Sequence, residues 1–546
     1  MKKFFVTAVT LLIAFTSGMA CTNLIVGKAA SADGSVIVSY SADSYGMFGY
    51  LCHYPAAIHA EGAMREVYDW DTGKYLGSIR EARQTYNVVG NINEHQLTIA
   101  ETTFGGREEL VNDEGIIDYG SLIYIALQRS KTAREAIEVM TSLVEEYGYY
   151  SSGESFTIAD PNEVWIMEMI GKGPGRKGAV WVAIRVPDDC ISAHANQARI
   201  RQFPLKDKKN CIYSKDVIKF AREMGYFDGK DSEFDFAAAY CPADFSGLRY
   251  CDARVWSYFN MFADTDMSQY LPWAMGDTSA TPMPLFVRPK QKVSVRDVQS
   301  AMRDHYEGTP MDITGDLGAG PWSMPYRPSP LSFEVDGVTY FNERPISTQQ
   351  TAFTFVSQMR DWLPNPVGGV LWFGTDDANM AVFSPVYCCA TDVPECYDVA
   401  TADAVTFSEK SSFWLFNMVS NMVYPRYSAL IGDLKKVQQK CEDIFAANQS
   451  DVESQAMSLY QDNPAEAISM LTQYTADMAE STMKAWGELA KFLIVKHNDL
   501  VVKPTLEDGT FERTETGLGA SPIRPGYPED FNRRVVKETN DRYLMK

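Results

Sequence analysis

The sequence predicts an α+β protein, because strand-like and helix-like segments occupy separate blocks of the chain. Short apolar or alternating segments bounded by turn residues recur at 22–27, 35–39, 154–159, 164–170 and 179–186. Helical segments begin at Leu122 and, behind a capping box, at Thr132, and helical composition dominates from Leu430 to Lys496.

Residues 1–20 carry Lys2 and Lys3, an apolar run over 4–15 and then small residues, the pattern of a secretory signal peptide. The expected cut lies between Ala20 and Cys21, so the chain is expected to be exported, periplasmic or extracellular. No later stretch reaches the roughly 18 apolar residues needed to span a bilayer, so no membrane span is expected. The remaining sequence divides into a main body over 21–429 and a helical extension with a polar tail over 430–546. With 546 residues, 45% of them hydrophobic, there is material for a large core. The formal charge of −21, or −23 without Lys2 and Lys3, argues against nucleic acid or anionic membrane as partners. Assembly into a homo-oligomer is left open.

In order along the chain, 22–27 and 35–39 read as a hairpin around Ala32-Asp33-Gly34. Centred near residue 31, it sets Cys21 opposite a residue near 41, with Asp43 in reach. Residues 96–100 read as a strand that ends before the loop Thr102-Thr103-Phe104-Gly105-Gly106. Helices follow at 122–129 and from Thr132, with Glu135 completing a capping box and Ile137, Met140 and Val144 buried. The glycine-rich loop 171–178 joins two strands and opens no helix, which excludes a phosphate cradle. Further helices are capped by Ser214 and by Ser294 with Asp297. Residues 304–340 are irregular, 370–374 and 380–384 resume the strand pattern, and Asn463-Pro464 splits 430–496 into a helix pair. The tail after Lys503 reads as loop.

A chain that begins at Cys21 carries a thiol and a free α-amine on one residue. A thiol of pKa about 8.5 needs a base at neutral pH, and an α-amine of pKa about 7.7 to 8.0 can supply one. Three other readings stand beside this one: lipidation of the cysteine, half of a disulfide, or a small buried residue. Gly18, where a lipidation signal carries a leucine-like residue, favours ordinary signal peptidase. Asp43 either orients the α-ammonium or serves as a turn aspartate. Asn196 either donates to an oxyanion or caps a turn. Of the ten cysteines, Cys241 with Cys251, and Cys388 or Cys389 with Cys396, are candidate disulfide pairs for an exported chain. The cysteine spacings and six scattered histidines do not fit zinc, and neither metal nor cofactor is expected.

The run Cys21-Thr22-Asn23-Leu24-Ile25-Val26-Gly27, together with Asn93-Glu94-His95-Gln96 and Glu101-Thr102-Thr103-Phe104-Gly105-Gly106, resembles peptidase family C69. Ala159-Asp160-Pro161, Ala195-Asn196-Gln197-Ala198-Arg199-Ile200, Asn342-Glu343-Arg344 and Gly368-Gly369-Val370-Leu371-Trp372 extend the likeness past Tyr387. The resemblance implies an N-terminal nucleophile hydrolase, an αββα sandwich, acting as a dipeptidase of broad specificity without a metal. By similarity to penicillin V acylases and bile salt hydrolases, Cys21 is the implied nucleophile and Asp43 holds its amine. Asn196 is an implied oxyanion or orienting residue and Arg254 an implied site arginine. The relatives' second oxyanion asparagine falls near Thr103, and Tyr40 stands where they carry an arginine. The rival functions are an amidase on N-acyl amides and a lipid-anchored peptide-binding protein.

Overall fold

The computed structural model describes residues 21–545. The leader expected over residues 1–20 lies outside the described residues. Two antiparallel sheets form the centre of the molecule. The first has the order Phe286–Val287, Ile191–His194, Asn23–Val26, Val36–Asp43, Thr351–Met359, Val370–Thr375, Ser384–Tyr387. The second runs Cys211–Tyr213, Ala179–Arg185, Val164–Gly171, Gly153–Ala159, Thr98–Gly105, followed by the short strands Ile92–Asn93, Val88–Val89 and His53–Tyr54.

Alternation along the strands divides the apolar residues among three packed layers, since successive side chains leave opposite faces. Ile25, Val36, Val38 and Phe355 of the first sheet meet Ala100, Ile166, Ile170 and Val182 of the second. Their neighbours Leu24, Val26, Ile37 and Val356 face outward onto Tyr258 and Phe259 of the Ala253–Phe262 helix and onto Val419, Leu471 and Trp486. On the far side, Ile99, Ile158, Trp165 and Met167 cover the Tyr119–Arg129 and Ala133–Tyr147 helices. Each such side chain taken fully out of water contributes roughly 1.5–3 kcal/mol.

Several expected elements appear with small shifts. Thr132 caps the Ala133–Tyr147 helix by accepting from the Glu135 N–H, but Glu135 reaches back to the N–H of Lys131 and not to that of Thr132. Ser294 and Asp297 form the expected capping box. The helix after Ser214 starts at Val217 behind Asp216, and the Ser214 hydroxyl accepts instead from the Trp181 N–H. Asn463-Pro464 separates helices Tyr427–Asp462 and Pro464–His497, because proline lacks the N–H that would continue the first.

Other expectations are corrected. Residues 380–383 are a buried loop, and the strand lies at Ser384–Tyr387. The irregular stretch contains the hairpin Ser332–Val335 with Val338–Phe341, and the tail contains the helix Glu529–Thr539. All ten cysteines are free, so neither candidate disulfide pair is bonded.

The long helices are moored to the first sheet by a buried ion pair. Arg360, just past the Thr351–Met359 strand, meets both carboxylate oxygens of Glu453 at 2.6 and 2.8 Å. Its Nε donates to the Gly368 carbonyl at 2.9 Å. Removing one partner leaves the other charge desolvated, whereas an apolar pair of similar volume restores packing. Arg360→Met is therefore expected to cost about 3 kcal/mol in denaturant unfolding, and adding Glu453→Leu to recover most of it.

Candidate active site

Cys21 stands at the head of the Asn23–Val26 strand, one residue before the bridge that pairs Thr22 with Ser41. That register sets Cys21 beside Asp43, as the hairpin predicts, and the Asp43 backbone N–H hydrogen-bonds to the sulfur. Both residues are completely buried. The Asp43 carboxylate accepts from Thr351 Oγ1 at 2.7 Å and from Ser41 Oγ at 3.1 Å, and it is paired with the guanidinium of Arg344. The cation beside the aspartate is Arg344, far along the chain.

Tyr40 meets the thiol. Its hydroxyl lies 3.5 Å from Cys21 Sγ and donates to Glu101 Oε1 at 2.6 Å, and the same carboxyl oxygen is 3.5 Å from the sulfur. Glu101 reaches this position because the Thr98–Gly105 strand continues past residue 100, correcting the loop expected there. Its pairing with Gly153–Ala159 sets Thr103 opposite Glu154, and Thr103 Oγ1 donates to Glu154 Oε1 at 2.8 Å. The Glu101 and Glu154 carboxyls hydrogen-bond to each other. Burial raises the Glu101 pKa. Burial, and then the Glu101 charge, push Glu154 well above the usual carboxylate range. Two adjoining carboxyls held this way retain a proton between them.

Asn196 follows the Ile191–His194 strand with a left-handed φ of 64°. Its Nδ2 donates to the Thr103 carbonyl at 2.7 Å, and its Oδ1 accepts from Arg254 Nη2 at 2.9 Å. Arg254, at the start of the Ala253–Phe262 helix, also donates to the Cys21 carbonyl at 2.6 Å and to Thr22 Oγ1 at 2.8 Å. It is fully buried, and burial followed by the proximity of Arg344 lowers its pKa to about 10. Arg254 thus ties the Cys21 backbone to the Asn196 amide. All four expected residues, Cys21, Asp43, Asn196 and Arg254, converge on one place.

Burial raises the Cys21 thiol well above its ordinary pKa, and the Glu101 and Asp43 charges add to the effect. A thiol so placed stays protonated near neutral pH unless a base takes its proton. Among the described residues no imidazole hydrogen-bonds to it. His194 is held between Thr102 and Thr157, each at 2.7 Å, and burial followed by Arg199 drives its pKa to about 3, so it stays neutral. No group of three metal-ligating side chains occurs among the described residues, and none of the described helices is long and apolar enough to cross a membrane.

A family model for peptidase family C69 matches residues 20–51 and 48–440. The chain belongs to peptidase family C69. This C69 chain is accordingly a hydrolase acting on peptide bonds. It is 30% identical over 408 residues to a probable dipeptidase of Salmonella dublin, covering 71% of this chain and 85% of the relative. A probable dipeptidase of Latilactobacillus sakei is 25% identical over 510 residues, or 88% and 96% of the two chains. Dipeptidase A of Lactobacillus helveticus is 24% identical over 449 residues, or 78% and 84%.

Sequence reasoning left Glu101, Glu154, Arg344 and Thr351 out of the site. One signal was present: Glu154 opens the strand pattern 154–159, and a glutamate within a strand is buried only for a reason. Replacing Arg344 with Gln strips the buried Asp43 carboxylate of its paired guanidinium. We expect a loss of about 3 kcal/mol in urea unfolding, against about 1 kcal/mol for Thr351→Val, which removes one neutral donor.

Proposed function

We propose that this C69 peptidase is an exported cysteine dipeptidase of broad specificity and the N-terminal nucleophile type, activated when removal of residues 1–20 frees the α-amine of Cys21. Two facing sheets between helical layers support the N-terminal nucleophile assignment. The dipeptidase names of the similar proteins support the substrate class. The observation that carries the mechanism is the setting of Cys21: a buried thiol with raised pKa, no imidazole bonded to it among the described residues, and a nitrogen of its own that becomes basic once the chain begins there.

In this mechanism the Cys21 amine takes the thiol proton, and the thiolate attacks the peptide carbonyl. Backbone N–H groups and the Asn196 amide, held in orientation by Arg254 and the Thr103 carbonyl, stabilise the oxyanion. The ammonium returns the proton to the leaving amine, and water, with the amine again as base, releases the thioester. Asp43 orients the N-terminus, and Arg344 and Thr351 hold Asp43. Arg254 acts as a positioning residue.

A second reading has one observation in its favour. Glu101, 3.5 Å from the sulfur, could take the proton in place of the amine. The two differ in what they ask of the N-terminus. A chain beginning at Cys21 should hydrolyse dipeptides, and Cys21→Ala should lose roughly 1,000-fold or more in kcat/KM. One residue added ahead of Cys21, with the thiol retained, should abolish turnover; native rates in the extended chain would transfer the base role to Glu101.

A further inference from the structure

Glu101 and Glu154 are both completely or almost completely buried, at 0% and 1% exposure, yet no lysine, arginine or histidine forms an ion pair with either among the described residues. Tyr40, the Cys21 thiol and Thr103 fill one oxygen of each. The second oxygens, Glu101 Oε2 and Glu154 Oε2, are buried and receive no hydrogen from any other described group. Asp71, bonded to Tyr119 at 2.9 Å, adds a further negative charge nearby.

Glu168, a third buried glutamate in the same sheet, shows what a structural carboxylate looks like here. Its oxygens are filled by the backbone N–H groups of Arg199 and Ile200, with three contacts of 2.5 to 3.1 Å. The Glu101–Glu154 pair lacks such donors and adjoins the nucleophile. Buried carboxyls without a cation accommodate either a proton or a positive group from outside.

The geometry of attack brings such a group within reach. In a dipeptide the α-nitrogen lies about 2.5 Å from the carbonyl carbon under attack. That carbon approaches the sulfur to about 3–3.5 Å, so the nitrogen stays within about 6 Å of Sγ. Glu101 Oε1 is 3.5 Å from the same sulfur.

We propose that the Glu101–Glu154 pair is the receptor for the free α-ammonium of the substrate's first residue, and that this requirement separates dipeptides from N-acyl amides at this site. The inference rests on Cys21 being the nucleophile. On binding, the ammonium takes the place of the proton shared by the two carboxyls, and that proton leaves to solvent. Acetylating the amine removes both its charge and the exchange.

The test separates binding from turnover. In a chain beginning at residue 21 with Cys21→Ala, calorimetry with alanyl-alanine and N-acetyl-alanyl-alanine reads the receptor without chemistry. The dipeptide should bind with a heat that varies with buffer ionisation, reporting proton release, and the acetylated compound should bind about 100-fold more weakly. Adding Glu154→Gln should weaken the dipeptide about 100-fold and leave the acetylated compound unchanged. The acetylation comparison needs no change at the pair, so it stands even if a glutamate variant misfolds. Equal binding of the two compounds, or dipeptide affinity unmoved by both Glu154→Gln and Glu101→Gln, would overturn the proposal. Turnover by the unaltered Cys21 chain is read separately. If it hydrolyses neither compound, the nucleophile assignment falls, while the calorimetry still decides the role of the carboxyls.

Discussion

The antiparallel pairing of the Asn23–Val26 and Val36–Asp43 strands is the constraint on which the rest of the site depends. A strand slipped by one residue would turn every side chain to the opposite face. With Thr22 bridged to Ser41, Cys21 comes to lie beside the Asp43 backbone, and Tyr40 enters the layer between the sheets where it meets the thiol. The outward faces of the same strands are covered by apolar helices, which makes a slip costly. One register therefore serves both core and chemistry.

Around that hairpin the charges are arranged in two groups. Arg344 and Arg254 lie on the side of Asp43 and the Cys21 carbonyl, where they fix backbone and amide dipoles. Glu101 and Glu154 lie on the side of the sulfur with hydroxyl donors and no cationic partner among the described residues. Burial without a matching cation is unfavourable for a carboxylate, and natural cores seldom retain it without use. The asymmetry gives the site a direction: cations and their dipoles surround the Cys21 backbone on one side, and uncompensated carboxyls adjoin its sulfur on the other.

Much of this was legible in the sequence because it is local. The first hairpin, the Ser294–Asp297 capping box and the Asn463-Pro464 break rest on neighbouring residues and on the limits of proline geometry. Cys21 follows from the expected cut, Asp43 from the hairpin register and Asn196 from its amide, whereas Arg254 comes from the resemblance alone, and the fold brings the four together. The parts that escaped depend on long-range pairing. Glu101 lies beyond a point where the strand pattern turns polar, and only its partner strand with Glu154 extends it. The Thr351–Met359 strand is buried along its whole length and does not alternate, and nothing nearby in sequence says that it lies beside Val36–Asp43. Arg344 stands just past the irregular stretch 304–340, and its approach to Asp43 is a property of the folded chain alone.

The central claim is that the working enzyme begins at Cys21 with thiol and amine both free. Intact mass and N-terminal sequencing of the active protein recovered from its native host test this most directly. A single species that starts at Cys21 and carries no modification on that residue is expected. An active species that retains residues ahead of Cys21, or one whose Cys21 is acylated, would contradict the claim.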